Sequence, residues 1–83
     1  MNIPPEVLAA HLGDDAVLLD LKAKRYYRLN ESAASAFKAL EAGEGREGAI
    51  ARLLAEFDVD EAEATRAVDA LLMDLAARGL VAD

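Results

Sequence analysis

The chain has 83 residues, of which 54% are hydrophobic and none is cysteine, and its 16 acidic residues against 9 lysines and arginines give a formal charge of −7. A chain this short buries only about 60% of its extended surface, so residues 1–83 are expected to form a single domain around one core, with no room for a deep walled active site. The missing cysteines exclude disulfides, thiol nucleophiles and thiolate metal sites; no apolar run nears the roughly 18 residues of a membrane span, and the start MNIPPEVL lacks the pattern of a secretory signal, so a soluble, cytoplasmic protein is expected.

Pro4 and Pro5 hold the N-terminus extended, and Val7–Leu12 reads as a first short strand. Asp14 and Asp15 mark a turn and not a metal site, because no third ligand follows at suitable spacing. Val17, Leu19 and Leu21 then alternate with Ala16, Leu18 and Asp20, the period of a second strand. After the turn Lys22-Ala23-Lys24, the run Arg25-Tyr26-Tyr27-Arg28-Leu29 carries the aromatics that strands favour. Tyr26 and Tyr27 point to opposite faces, so one packs against the helices and the other faces outward.

Asn30 ends that strand and caps a helix over Glu31–Ala42, in which Ala33, Phe37 and Leu40 fall at helical spacing and Gly43 supplies the stop. A second helix, Arg46–Phe57, places Ile50, Leu53, Leu54 and Phe57 on one face. Asp60 with Glu63 forms an Asp-x-x-Glu cap for a third helix that runs to Arg78, with Gly79 as the left-handed residue and Leu80 as the apolar contact behind it. Ala64, Val68, Leu71 and Leu75 form the apolar stripe of this helix.

Three strands followed by three helices give an α+β fold of the winged helix-turn-helix kind, a three-stranded antiparallel sheet beside a three-helix unit. If the first strand docks on the second, Arg25–Leu29 is left at the sheet edge with unpaired backbone groups. Such an edge invites a further strand, from a peptide or, in the absence of peptide, from a second copy in a homodimer. Charge divides along the chain: the first thirty residues are neutral with four cations clustered between Lys22 and Arg28, and the rest is an acidic helical body.

The run LLDLKAKRYYRLNESAASAF, followed by AIARLLAEFDVDEAEATRAVDALLMDLAARGLV, resembles the PqqD-like RiPP recognition elements, especially the stand-alone type of lasso-peptide biosynthesis. The features that carry the resemblance are the LLD strand, the RYYRLN junction, the alanine-rich first helix with Phe37, the F-D-V-D turn and the L-x-x-x-G-L ending at Leu80. It departs from the family in the hairpin turn, where Lys22-Ala23-Lys24 stands in place of a glycine. The resemblance implies a non-catalytic chaperone that binds the leader of a ribosomally made precursor and delivers it to a maturation enzyme such as a leader peptidase. It implies that the leader adds to the third strand, at Tyr26, Tyr27, Arg28 and Leu29, and lies against Val68, Leu71, Leu72 and Leu75 of the last helix.

Side-chain chemistry adds detail to that expectation. Arg25 and Arg28 suit leader acids, and Asp69 and Asp74 suit leader basic groups, although exposed pairs contribute only about 0–1 kcal/mol each. The flank of the last helix that lines the groove is either Thr65, Leu72 and Ala76 or Ala67, Ala70, Asp74 and Ala77. Against these readings, Val68, Leu71 and Leu75 also fit plain core packing, and Arg25 and Arg28 also fit charges that deter edge-to-edge aggregation. A winged-helix DNA-binding regulator is the alternative function, but the last helix sums to −2 and offers duplex phosphate little. An acyl carrier lacks its Asp-Ser-Leu attachment motif here. No catalytic or metal motif appears, His11 has no partner at ligand spacing, and neither enzyme activity nor a cofactor is expected.

Overall fold

Three strands, β1 (Val7–Leu12), β2 (Asp15–Asp20) and β3 (Arg25–Leu29), pair antiparallel in the order β1-β2-β3, and three helices follow: α1 (Glu31–Glu41), α2 (Gly45–Glu56) and α3 (Glu61–Ala77). The computed structural model describes residues 2–82. This is the expected α+β order, with β2 central and β3 at an edge. Among the described residues no helix is long and apolar enough to cross a membrane.

Local chemistry sets the helix ends. The Asn30 side chain accepts from the Ala33 amide at 2.9 Å and Asp60 from the Glu63 amide at 2.8 Å, each satisfying a free donor of the first turn. α3 closes in a paired-bond cap: the Gly79 amide donates to Ala76 at 3.1 Å and the Leu80 amide to Leu75 at 2.9 Å, with Gly79 at φ 71°. This turn carries Leu80 back into the core. α1 ends and α2 begins one residue earlier than the sequence suggests, at Glu41 and Gly45, so the connection keeps its expected length.

The core has two parts. Val7, Ala16, Leu18 and Leu29 on the inner sheet face meet Ala34, Phe37 and Leu40 of α1, with Leu75, Leu80 and Val81 sealing the side. Between the helices, Ala36, Ala39, Ala49, Leu53, Ala64 and Val68 form a second cluster of mostly small residues that lets the helices approach closely. Leu71 and Leu72 are half-buried and touch both clusters, so they tie the helical unit to the sheet. At the termini, Asn2 and Ala82 exchange backbone hydrogen bonds at 2.6 and 2.7 Å.

Alternation along β2 is resolved in favour of Ala16 and Leu18 as the buried set. The opposite face of the sheet is therefore apolar and exposed at Leu8, Leu12, Leu19 and Tyr26. In the β2–β3 turn, the Asp20 carboxylate accepts from the Lys22 and Ala23 amides at 3.1 and 3.0 Å, which bends the chain without glycine. The cost falls on Lys24, the one described non-glycine residue with positive φ, at 56°. A left-handed side chain costs about 1–2 kcal/mol, and glycine's extra chain entropy offsets part of that. Lys24→Gly should therefore raise the Tm by about 2–6 °C in a thermal melt followed by circular dichroism; a lower Tm would mean that the lysine side chain contributes more than the strain costs.

Candidate peptide-binding groove

The backbone of β3 decides what the edge can offer. The Leu21 amide donates to Glu6 at 2.9 Å, extending the β1–β2 ladder. Odd-numbered residues of β2 thus direct their backbone groups to β1, and even-numbered ones to β3. Their partners on β3 are Leu29 for Ala16, Tyr27 for Leu18 and Arg25 for Asp20. Tyr26 and Arg28 are left with amides and carbonyls pointing away from the sheet. They are the free positions of the edge.

Side chains alternate with the same period. Tyr26 is 73% exposed on the outer face, whereas Tyr27 points inward and reaches α3. Its hydroxyl donates to an oxygen of Asp74. The other Asp74 oxygen accepts from Arg78 Nε at 3.0 Å, and the Arg78 guanidinium lies 4.6 Å from the Tyr27 ring centroid. Among the described residues this is the one side-chain hydrogen bond from the sheet to α3. It selects the flank of α3 that faces β3 as the one bearing Ala67, Ala70 and Asp74, joined by Leu71 and Arg78 at helical spacing.

A cavity lies at each end of this wall. The larger, about 200 Å³, is lined by Asn30, Ser32, Ala33, Ala36, Leu53, Ala67 and Leu71. The smaller, about 50 Å³, is lined by Asp20, Arg25, Tyr26, Tyr27, Arg78 and Leu80. Arg78, Leu80 and the α1 cap residues were not among the expected site residues. For Arg78 a signal was present, since it stands four residues after Asp74, the spacing of a helical ion pair.

Other expected site residues are placed differently. Val68, Leu75 and Leu29 are sealed in the core, so their side chains give the groove no surface. Leu72 is half-buried between the clusters. Asp69 is held by Arg46 of α2, with Nε 2.6 Å from one oxygen and Nη2 3.0 Å from the other, and that hydrogen-bonded guanidinium keeps its carboxyl below the ordinary range. Arg28 lies 3.5 Å from Asp15, both exposed, and Arg25 has no ionic partner within 4.0 Å among the described residues. Both carboxylates expected to meet leader cations are thus already paired. His11 bonds Glu41 at 2.8 Å, joining β1 to the end of α1, a structural role.

The bridge also shifts the ionisation of its members. Donation to Asp74, then burial, raises the Tyr27 phenol above 10.0. The same hydrogen bond, then that from Arg78, lowers the Asp74 carboxyl. The phenol's contribution to stability is full below the unfolded value and is lost as pH rises through the higher folded value; the carboxylate's is full above its unfolded value and is lost as pH falls through the lower folded one. The bridge therefore persists across the neutral range. In a difference titration of phenolate absorbance between the wild type and Tyr27→Phe, the Tyr27 midpoint should lie above 10, and Asp74→Asn should bring it down; a midpoint at or below 10 would remove the hydrogen bond.

The chain is similar to TbiB1, solved in complex with the TbiA(beta) leader peptide, at 31% identity over 100% of both chains with a TM-score of 0.90. It is similar to a lasso peptide synthetase B1 complexed with its leader peptide, at 28% identity over 98% of this chain and 95% of that one, with a TM-score of 0.85. Among curated proteins no match is found. Residues 15–81 match the family model described as coenzyme PQQ synthesis protein D, PqqD, and the chain belongs to that family.

Proposed function

We propose that this chain binds the leader segment of a ribosomally made precursor peptide, of the lasso type, and presents it to a leader peptidase without doing chemistry itself. The observation that carries the proposal is the free edge at Tyr26 and Arg28 standing beside the α3 wall, in a chain that matches two leader-bound proteins over nearly its whole length. The leader adds to β3 as a fourth strand. Two edge residues supply two donors and two acceptors, together about 2–6 kcal/mol at about 0.5–1.5 net each. Micromolar binding requires about 8 kcal/mol, and ordering a flexible segment adds to the demand. Side chains must supply the rest, and the apolar cavity by Ala33 and Leu71 is where a leader side chain can be buried. The duplex-DNA reading has little to stand on, since α3 is net acidic and Arg78 is committed to Asp74 and Tyr27.

Presentation requires a second surface that stays free while the groove is filled. The outer sheet face, with Leu8, Leu12, Leu19 and Tyr26 exposed beside a depression of about 200 Å³ lined in part by Leu21 and Lys24, fits that need. It is continuous with the groove through β3, whose Tyr26 carries an edge amide and an outward ring. A peptidase docked there lies within a strand's width of the leader.

One experiment with two arms tests both surfaces, using a synthetic leader from the cognate precursor. Arg28→Pro removes an edge donor without touching the β2–β3 ladder, and leader affinity should fall at least tenfold while the circular dichroism spectrum is kept. The double variant Leu8→Glu, Leu12→Glu should bind leader normally and slow its cleavage by the cognate peptidase. A folded Arg28→Pro variant with unchanged affinity contradicts strand addition, and normal cleavage with the double variant contradicts the outer docking face.

A further inference from the structure

We propose that the Tyr27–Asp74–Arg78 bridge is a register stop, dividing the groove into two compartments so that a leader can seat in only one alignment. The inference rests on the leader-binding reading and goes beyond it. Strand addition through backbone bonds is indifferent to sequence, and a shift of two residues keeps every side chain on its original face. Something other than the edge must therefore choose among alignments.

The bridge lies where such a choice can be made. The inward residues of β3 are Arg25, Tyr27 and Leu29, so inward side chains of an added strand fall opposite these three positions. Arg25 lines the small cavity, and Leu29 leads directly into Asn30 of the large one, about 13 Å away along the strand. Between them the phenol of Tyr27 spans to Asp74, with Arg78 stacked on the ring. The 200 Å³ end has room for a bulky side chain, whereas the bridge, whose Tyr27 and Arg78 themselves wall the small cavity, leaves room only for a small one. At the opposite end the cavity is small, about 50 Å³, and Arg25 has no ionic partner among the described residues, so it favours a short acidic side chain.

The Asp74–Arg78 pair is about half exposed, with side-chain accessibilities of 41% and 54%, and such pairs contribute little to stability. The fold does not rest on this pair, so loss of the bridge should be read in affinity and alignment with the chain still folded.

The test uses ¹⁵N-labelled wild type, Tyr27→Phe and Asp74→Asn, each titrated with a synthetic leader from the cognate precursor. Wild type should give a single set of bound-state amide peaks for β3. Both variants should keep the wild-type circular dichroism spectrum and a cooperative melt, with the Tm lowered by about 4–10 °C for the lost hydrogen bond, bind about 5–30-fold more weakly and show more than one bound set. Should Asp74→Asn fail to fold, Tyr27→Phe, which keeps the ring and its stacking on Arg78, carries the test. Affinity within twofold of wild type overturns the proposal, and so does weaker binding with a single bound set, which would reduce the bridge to a prop. A wild type that binds no leader overturns the functional reading itself.

Discussion

Two residues of β3 with backbone groups turned away from the sheet are the constraint on which the rest depends. Because β2 spends its even-numbered residues on Arg25, Tyr27 and Leu29, the amides and carbonyls of Tyr26 and Arg28 have no strand to pair with. An open edge is a hazard for a free protein, since it templates aggregation. The cations at Lys22, Lys24, Arg25 and Arg28 crowd around this one, so that two copies meeting edge to edge bring like charges together. Edge function and edge protection are carried by the same short segment.

Several acidic residues are spent on holding turns and helices in place. Asp60 caps α3, Asp20 shapes the hairpin, Asp69 locks α2 to α3 through Arg46, and Ser35 of α1 donates to Glu56 of α2 at 2.6 Å. The formal −7 is thus a property of the helical body, while the groove is lined by arginines and small apolar residues. This arrangement separates the task of fixing α3 from that of contacting the ligand. It also leaves the outer sheet face apolar, so one thin sheet has an open edge on one side and an apolar surface on its back.

Much of the fold was legible because its signals are local. Asn30, Asp60 and Gly79 each act on amides within a few residues, and the structure places their bonds where the sequence puts the helix ends. The face of β2 was not legible: Val17, Leu19 and Leu21 are larger in sum than Ala16, Leu18 and Asp20, yet the latter set faces inward, because α1 brings Phe37 and Leu40 onto that side. The groove was legible in part. β3 and α3 were identified, but Val68 and Leu75 are core residues, and the capture of Asp69 by Arg46 depends on how α2 packs, which no spacing along the chain encodes. The bridge lay between these cases, with the Asp74–Arg78 spacing visible and its link to Tyr27, 47 residues before Asp74, set by tertiary structure.

The central claim is that the leader pairs with the backbone of β3 at Tyr26 and Arg28, and amide hydrogen exchange read residue by residue tests it most directly. In the free chain these two amides should exchange much faster than those of Tyr27 and Leu29, which bond to β2, and saturating leader should bring them to comparable protection. Leader binding that leaves Tyr26 and Arg28 unprotected would contradict the account.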